Sequence, residues 1–176
     1  MTLFKKYLDK SWISSKLELR KSSIHGTGIF TKKRIKKGEV TIIWGGIVFT
    51  DQDVANGRVK EHTGVGIGEG LYLGAAENQD SSADDYMNHS CNPNIWMKDE
   101  VTLIASRNIE KDEELTADYV IWLNNEEYVM KNICYCGSPT CRNKITGKDW
   151  RSIELQLKYK NHFSPFINER IRRLKK

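Results

Sequence analysis

The sequence has little of what would divide it into parts or carry it through a membrane. It contains three prolines in 176 residues, no internal repeat and no low-complexity linker. No apolar run approaches the roughly 20 residues that a membrane-spanning helix needs. The start, MTLFKKYLDKSW, carries lysines but lacks the apolar centre of a secretory leader. These absences predict a compact chain with one core that is cytoplasmic or nuclear, not secreted and not attached to a membrane.

Cysteine is also scarce, and its placement is informative. Three of the four cysteines lie within the eight residues CYCGSPTC, and the fourth is Cys91. In an intracellular chain, clustered cysteines favour a metal over disulfides. Three thiolates leave a tetrahedral zinc site incomplete, and no histidine stands at a usual finger spacing from them. If Cys91 joins the cluster, the set is complete and no thiol is spare. The predicted ligands of one structural zinc ion are Cys91, Cys134, Cys136 and Cys141; four unrelated reduced cysteines are the alternative.

Charge of one sign is in only mild excess, with a formal net charge of +5. The final eight residues, ERIRRLKK, hold five of the basic side chains. They would suit a weak contact with nucleic acid or an acidic protein face. A solvated helix end is the simpler explanation, because cations stabilise helix C-termini.

Short runs typical of β-strands fill the chain from about residue 17 to residue 120. These runs are KLELRKS, TIIWGGIVFT, GVGIGEGLYLGA, VTLIASRNI and ELTADYVIW. Many short strands at close spacing predict a mainly β core rather than alternating strands and helices.

Helical spacing of apolar residues is found only near the two ends of the chain. Residues 2–12 predict one short amphipathic helix. The segment GKDWRSIELQLKYK predicts a second helix with Asp149 as its N-cap. The segment SPFINERIRRL predicts a third, with Ser164 as N-cap and Pro165 at the first helical position.

Four motifs, in one order, resemble a known family. SSIHGTGIFTKKRIKKGEV, NHSCNPN, ELTADY and CYCGSPTCRN are similar to the motifs of SET-domain protein lysine methyltransferases that carry a post-SET zinc loop. The similarity runs from about residue 17 to residue 147. It implies a SET-domain fold of small curled sheets with a pseudoknot, in which NHSC and ELTADY thread together. It also implies S-adenosyl-L-methionine as methyl donor and a lysine side chain as acceptor.

The resemblance divides the chain into four segments. We expect an N-terminal helical extension (1–16), the SET domain (17–125), the post-SET zinc loop (126–147) and a C-terminal helical tail (148–176).

The resemblance also assigns roles to single residues. Tyr119, at the end of ELTADY, matches the catalytic tyrosine. The residues expected to hold the cofactor, largely through main-chain groups, are His25, Gly26, Thr27, Gly28, Asn88, His89 and Ile145. Tyr72 and Tyr86 match aromatic positions of the lysine channel, whereas Trp44 and Trp122 are interpreted as core residues.

Ala117 is a departure from the family pattern. Family members often carry an aromatic residue two places before the catalytic tyrosine, where its size limits the number of methyl groups added. Alanine predicts a wider channel and products beyond monomethyl-lysine. Alternatively, Tyr72 or Tyr86 fills the space. A second departure is Asp85-Tyr86 in place of the common Arg-Phe.

The resulting hypothesis is a monomeric protein-lysine N-methyltransferase acting on a histone, a ribosomal protein or another basic protein. The alternative is a catalytically inactive SET-like module that binds a lysine-containing peptide or nucleic acid. Intact counterparts of Tyr119, the Gly-x-Gly turn and the Asn-His pair favour the enzyme. A zinc module for RNA would need aromatic and basic residues interleaved on one face, a pattern that the sequence does not display.

Overall fold

Three small sheets form the body of the computed structural model, which describes residues 7–174. The first sheet contains, in spatial order, β1 (Trp12–Ile13), β4 (Val40–Ile43), β10 (Thr102–Ala105) and β9 (Ile95–Met97). The second contains β2 (Leu17–Lys21), β3 (Thr27–Thr31), β11 (Glu114–Ala117) and β8 (Asn88–His89). The third contains β5 (Ile47–Thr50), β7 (Leu71–Gly74) and β6 (Val65–Gly68). The mainly β prediction is confirmed.

The helices are short and lie mostly after the sheets. They are α1 (Asp51–Ala55), α2 (Ile153–Tyr159) and α3 (Pro165–Leu174). Single 3₁₀ turns occur at Ala83–Tyr86, Tyr119–Ile121 and Asp149–Arg151. Within residues 7–174, none of these helices has the length and apolar character needed to cross a membrane.

Both predicted C-terminal helices are present, with one difference at a boundary. Asp149 opens a 3₁₀ turn, and Ser152 is the residue that precedes α2. The helix α3 begins at Pro165 as predicted. The Ser164 hydroxyl is buried without a hydrogen-bond partner in the described part of the chain, so the predicted side-chain cap is not formed.

The helix predicted over residues 2–12 is not what the described part of that segment forms. Residues 2–6 lie outside the described residues. Leu8 instead forms a parallel bridge with Gly45, and Trp12 and Ile13 pair with β4. The Gly46 amide donates to the Leu8 carbonyl at 2.9 Å. The edge of β4 and the backbone beyond it offer hydrogen-bonding partners to this segment, and tertiary pairing overrides its helical spacing.

One continuous hydrophobic cluster joins the sheets to the C-terminal helices. Ile42, Leu73 and Leu115 each come from a different sheet and are completely buried, and Ile167 of α3 joins them. Residues Leu115–Ala117 of β11 are all buried, because this strand lies between β3 and β8. Substitutions at residues 115–117 would therefore affect the core.

The two motifs expected to thread together lie side by side. β8 pairs with β11 in parallel, with Thr116 opposite Asn88 and Ala117 opposite His89. Beyond the strand, the Asn94 side chain continues the pairing: its amide donates to the Glu114 carbonyl at 2.7 Å, and its oxygen accepts from the Thr116 amide at 2.9 Å. A short parallel pair is thus extended by a side chain that mimics a strand.

A buried carboxylate connects this crossing to the end of the chain. Asp118 is fully buried and accepts two hydrogen bonds from the Arg142 guanidinium, at 2.6 and 2.7 Å. The Tyr159 hydroxyl of α2 donates to the same carboxylate at 2.6 Å. A bidentate guanidinium and a phenol together satisfy a charge that would be very unfavourable alone.

We predict that Asp118→Asn lowers the free energy of unfolding by about 3 kcal/mol, because the largely buried Arg142 loses its bidentate partner and keeps only Asp149, at 3.3 Å. Chemical denaturation measures the effect. The matched control is Arg107→Gln, which removes a more exposed pair with Glu113 and should cost less than about 1 kcal/mol. Equal effects of the two substitutions would contradict the assignment of Asp118 as a structural centre.

Candidate active site and metal centre

Tyr119 lies where β11 ends and the 3₁₀ turn begins. Its hydroxyl donates to the Met87 carbonyl at 2.6 Å, one residue before β8. Its ring contacts those of His89 and Trp122, with centroid distances of 5.2 and 5.6 Å. Burial raises the pKa of Tyr119 well above its ordinary value. The phenol is therefore a neutral hydrogen-bond donor at neutral pH, held at the crossing of β8 and β11.

His89 links this tyrosine to the cysteine cluster. The Tyr119 amide donates to His89 Nδ1 at 3.3 Å, and His89 Nε2 lies 3.3 Å from Cys91 Sγ. Burial lowers the pKa of His89 to about 4, although Asp118 nearby favours the charged form. A neutral ring that accepts at Nδ1 carries its proton on Nε2. The ring therefore donates toward the sulfur of Cys91, as ligand-orienting groups do around metal sites.

Asn88 fastens the Gly-x-Gly turn to this crossing. Its side-chain amide donates to the carbonyls of His25 and Thr27, at 3.1 and 3.2 Å, and to Glu114 Oε1 at 2.7 Å. Gly26 has a φ of +48° and open space where a Cβ would be. The turn is thus rigid, exposed at Gly26 and suited to close approach by a ligand.

The position of the Glu114 side chain gives a packing reason for glycine at position 28. A Cβ there would lie 2.1 Å from Glu114 Oε1, so the space is filled by that carboxylate. Gly28 is buried within β3. Its lack of a side chain allows β3 to pack against Glu114 and Asn88, and the open approach expected for this turn is found at Gly26.

The predicted channel residues are not in ring contact with Tyr119 among the described residues. The Tyr72 hydroxyl donates to Asp51 Oδ1 at 3.0 Å, and burial with this carboxylate raises the pKa of Tyr72 to about 12. Tyr86 is exposed at the end of a 3₁₀ turn, directly before Met87. Ala117 is completely buried in the main hydrophobic cluster.

Tyr128 is a further candidate for the lysine channel, which the sequence analysis did not identify. It is half-buried, burial raises its pKa, and it lies near enough to Tyr119 to contribute to that residue's raised pKa. The Tyr128 carbonyl accepts from the Gly147 amide at 2.8 Å, which anchors the segment to the end of the zinc loop. The only sequence signal was an aromatic residue nine places after the matched tyrosine, which is weak by itself.

The four cysteines converge as predicted. The Sγ atoms of Cys91, Cys134, Cys136 and Cys141 all lie within 4.8 Å of one another, and none is in a disulfide. Four thiolates around zinc at ~2.3 Å would be roughly 3.8 Å apart, so a small contraction completes a tetrahedral site. The donor set fits Zn²⁺ and leaves no position open for water, as in a structural site.

Backbone amides support thiolates in this cluster. The Cys91 amide donates to Cys136 Sγ at 3.4 Å, and the Arg142 amide donates to Cys91 Sγ at 3.4 Å. Burial opposes ionisation of Cys136, but the amides of Cys91 and Ser138 and the thiols of Cys134 and Cys141 together outweigh burial and lower its pKa to about 7. Burial raises the pKa of Cys91 and of Cys134. A divalent cation supplies the charge that would hold all the sulfurs as thiolates together.

Ile145 forms the apolar base of the cluster. It is completely buried and groups with Cys91 and Cys134, and Leu123 and Met130 pack against them. The Met130 amide donates to the Ile145 carbonyl at 2.9 Å. Ile145 therefore connects the end of the zinc loop to the cysteine cluster through packing and to Met130 through a backbone hydrogen bond.

We predict one zinc ion per chain in protein purified without chelator, measured by elemental analysis. Cys91→Ser should remove most of the zinc and lower the melting temperature, because the loop loses its attachment to the β8 segment. Thr140→Ser, inside the hook but without a ligand atom in the cluster, is the control and should retain full occupancy. Zinc-free wild-type protein, or full zinc in the serine variant, would overturn the assignment.

Comparisons with known proteins agree with this arrangement. The SET domain family model matches residues 26–120. The chain is 33% identical over 136 residues to human histone-lysine N-methyltransferase 2B, covering 69% of this chain and 5% of that protein. It is 31% identical over 137 residues to the H3 lysine-4 specific histone-lysine N-methyltransferase of Schizosaccharomyces pombe, covering 70% of this chain and 14% of that protein. The chain thus spans a small part of these relatives.

Solved structures show the same fold. SUVH6 of Arabidopsis thaliana, in complex with SAM, superposes with a TM-score of 0.63 at 21% identity, covering 75% of this chain and 33% of that one. KRYPTONITE, in complex with DNA, an H3(1–15) peptide and SAH, gives a TM-score of 0.57 at 24% identity, covering 75% of this chain and 30% of that one. The motifs, the crossing of β8 with β11 and the family match together establish that this chain belongs to the SET domain family.

Proposed function

We propose that the protein is an S-adenosyl-L-methionine-dependent protein-lysine N-methyltransferase. The observation that carries the proposal is the placement of Tyr119, whose neutral hydroxyl is fixed on the Met87 carbonyl where β8 and β11 cross. The histone-lysine methyltransferases named above support it, as does the solved structure that contains SAM. A lysine of a histone or another basic protein is the proposed acceptor, and a nuclear or cytoplasmic location follows from it.

The cofactor proposal depends on main-chain groups around a rigid turn. The side chains of Asn88 and His89 are engaged inside the protein. Backbone atoms of these two residues and of the turn 25–28 are therefore the groups that would hold the cofactor, with Gly26 giving close access. S-adenosyl-L-methionine would supply a methyl group on a sulfonium centre.

Tyr119 has a positioning and polarising role in this proposal. Its raised pKa makes it a poor base. Its hydrogen is committed to the Met87 carbonyl, so its oxygen lone pairs are free to orient an amine. A lysine amine has an ordinary pKa near ~10.4. Burial beside the rings of Tyr119, His89 and Trp122 would lower that pKa and so favour the neutral amine. The proton of the lysine ammonium then leaves through water. Alignment of the amine with the methyl donor would contribute most of the remaining rate enhancement.

The zinc loop is the proposed lid of this site. Cys91 follows β8 by two residues, and the other three ligands belong to residues 134–141. The metal would tie the loop to the strand that carries Asn88 and His89. Residues 126–147 and the tail 148–176 thus act as separate segments supporting the SET domain, which we place at residues 17–125.

We predict that Tyr119→Phe lowers turnover at least about tenfold while folding is preserved, because the hydroxyl that orients the amine is lost. The assay is methyl transfer from labelled S-adenosyl-L-methionine to proteins of a lysate, with mass spectrometry of labelled lysines. Tyr7→Phe is the control, since that hydroxyl contacts Glu100 rather than the crossing.

Two results would count against the enzyme. A wild-type protein that binds the cofactor but labels no lysine would favour the inactive module that binds a lysine-containing peptide. Unchanged turnover in Tyr119→Phe would remove this tyrosine from the proposed mechanism.

Ala117 gives a prediction about the product. Because a small side chain stands two places before Tyr119, we expect products beyond monomethyl-lysine at long incubation with excess donor. Ala117→Tyr should shift products toward monomethylation while the first transfer continues, as measured by mass spectrometry of a peptide substrate. Its melting temperature must also be measured, because Ala117 is completely buried and a larger side chain needs room.

If the active wild-type protein stops at one methyl group, the open-channel interpretation is wrong, and a tyrosine such as Tyr72, Tyr86 or Tyr128 fills the space.

A further inference from the structure

The loop between β3 and β4 carries a dense group of basic side chains. Residues 32–37, here called the basic loop, have the sequence KKRIKK. All five basic residues are exposed. The sixth, Ile35, is completely buried and forms a bridge with Ile109. The loop is therefore fastened to the body at its centre, with lysines on both sides of the anchor.

None of the four lysines of this loop forms a close ion pair among the described residues. Among residues 7–174, no carboxylate lies within the 4.0 Å of an ion pair from Lys32, Lys33, Lys36 or Lys37. The nearby acids already have partners: Glu110 pairs with Arg34 at 3.1 Å, and Glu39 pairs with Lys16. Glu39 attracts Lys36 as well as Lys16, whereas Lys32, Lys33 and Lys37 face solvent, so the basic loop keeps an excess of positive charge.

The C-terminal arginines are different, although the sequence drew attention to them. Arg170 pairs with Glu69 across the fold. Arg172 and Arg173 share Glu169, at 2.7 and 3.1 Å. The described part of the basic tail is thus largely paired, and the last two lysines lie outside the described residues. The stronger unpaired positive surface of the described chain is the basic loop.

We propose that the basic loop binds the phosphate backbone of nucleic acid. Lysine ammonium groups suit phosphate as mobile point charges. The loop exposes no apolar or aromatic side chain, since Ile35 is buried. It therefore lacks the aromatic anchors typical of protein interfaces and the apolar face that inserts into lipid. Because the proposed contacts are to phosphates, we expect binding to be independent of base sequence.

The position of the loop keeps such binding compatible with the candidate active site. β3 begins at Thr27, beside the turn held by Asn88, and ends at Thr31, beside the basic loop. The four residue-to-residue steps from Thr27 to Thr31 separate the turn from the basic loop by roughly 13 Å. Nucleic acid held at the loop would leave the turn exposed while keeping basic proteins bound to that nucleic acid nearby.

The test compares two sets of basic residues in the full chain. One variant combines Lys32→Gln, Lys33→Gln, Lys36→Gln and Lys37→Gln; the control combines Arg172→Gln and Arg173→Gln. The probe is a fluorescently labelled DNA duplex of about 20 base pairs, titrated at several salt concentrations from about 50 mM upward. Circular dichroism and melting temperature check that both variants fold, which is expected because all substituted side chains are exposed.

We expect the loop variant to bind about thirtyfold or more weakly at low salt, and the slope of log K against log salt to fall by about 3.6, as for four phosphate contacts. The arginine control should change affinity less than about threefold. If the loop variant folds poorly, the pairs Lys32→Gln with Lys33→Gln and Lys36→Gln with Lys37→Gln are tested separately, and each should reduce the slope by about 1.8.

Several outcomes would overturn the proposal. These are no binding by the wild-type protein, an unchanged salt slope in the loop variant, or an equal loss in the arginine control. Polyglutamate or phosphatidylserine vesicles that bind the loop as tightly as the duplex would instead indicate an acidic protein or a lipid surface. None of these results depends on methyl transfer.

Discussion

The buried charge of Asp118 is the constraint around which the C-terminal half of the molecule is arranged. A carboxylate without solvent must be matched by donors in fixed positions. Here the donors come from Arg142, just after the last cysteine, and from Tyr159 of α2. Asp118 itself directly precedes Tyr119. The residue that needs neutralising is therefore next to the proposed catalytic tyrosine, and its partners belong to the zinc loop and the tail. Burial of this carboxylate without the Arg142 guanidinium or the Tyr159 hydroxyl would therefore carry a large desolvation cost.

In the candidate site, side chains hold the structure together, and main-chain groups remain available to bind a ligand. The Asn88 side-chain amide donates to two carbonyls and a carboxylate. The two ring nitrogens of His89 contact the Tyr119 amide and the Cys91 sulfur. Residues that look like ligand-binding groups in the sequence are largely architectural in the structure. Their backbone, held rigidly by those bonds, is what remains for a ligand.

The sequence predicted the features that depend on residue type and order. The four cysteines converge, the NHSC and ELTADY segments pair, and two C-terminal helices form. It failed where tertiary partners decide. Residues 7–13 have helical spacing, but they complete β4 and its neighbourhood instead. The role of Gly28 in holding the cofactor stays a prediction, and the position of Glu114 adds a packing reason for the missing side chain that the sequence did not reveal. The contacts of Asp118 with Arg142 and Tyr159, 24 and 41 residues away, left no local pattern to read.

The hydrogen bonds of His89 connect the metal centre to Tyr119 through a single ring. With zinc bound, a thiolate at Cys91 would accept from Nε2 and favour the tautomer whose Nδ1 accepts from the Tyr119 amide. Loss of the metal would weaken this preference and hold the Nδ1 acceptor less firmly. Any change at the sulfur of Cys91 would therefore reach the backbone of Tyr119 through this one ring.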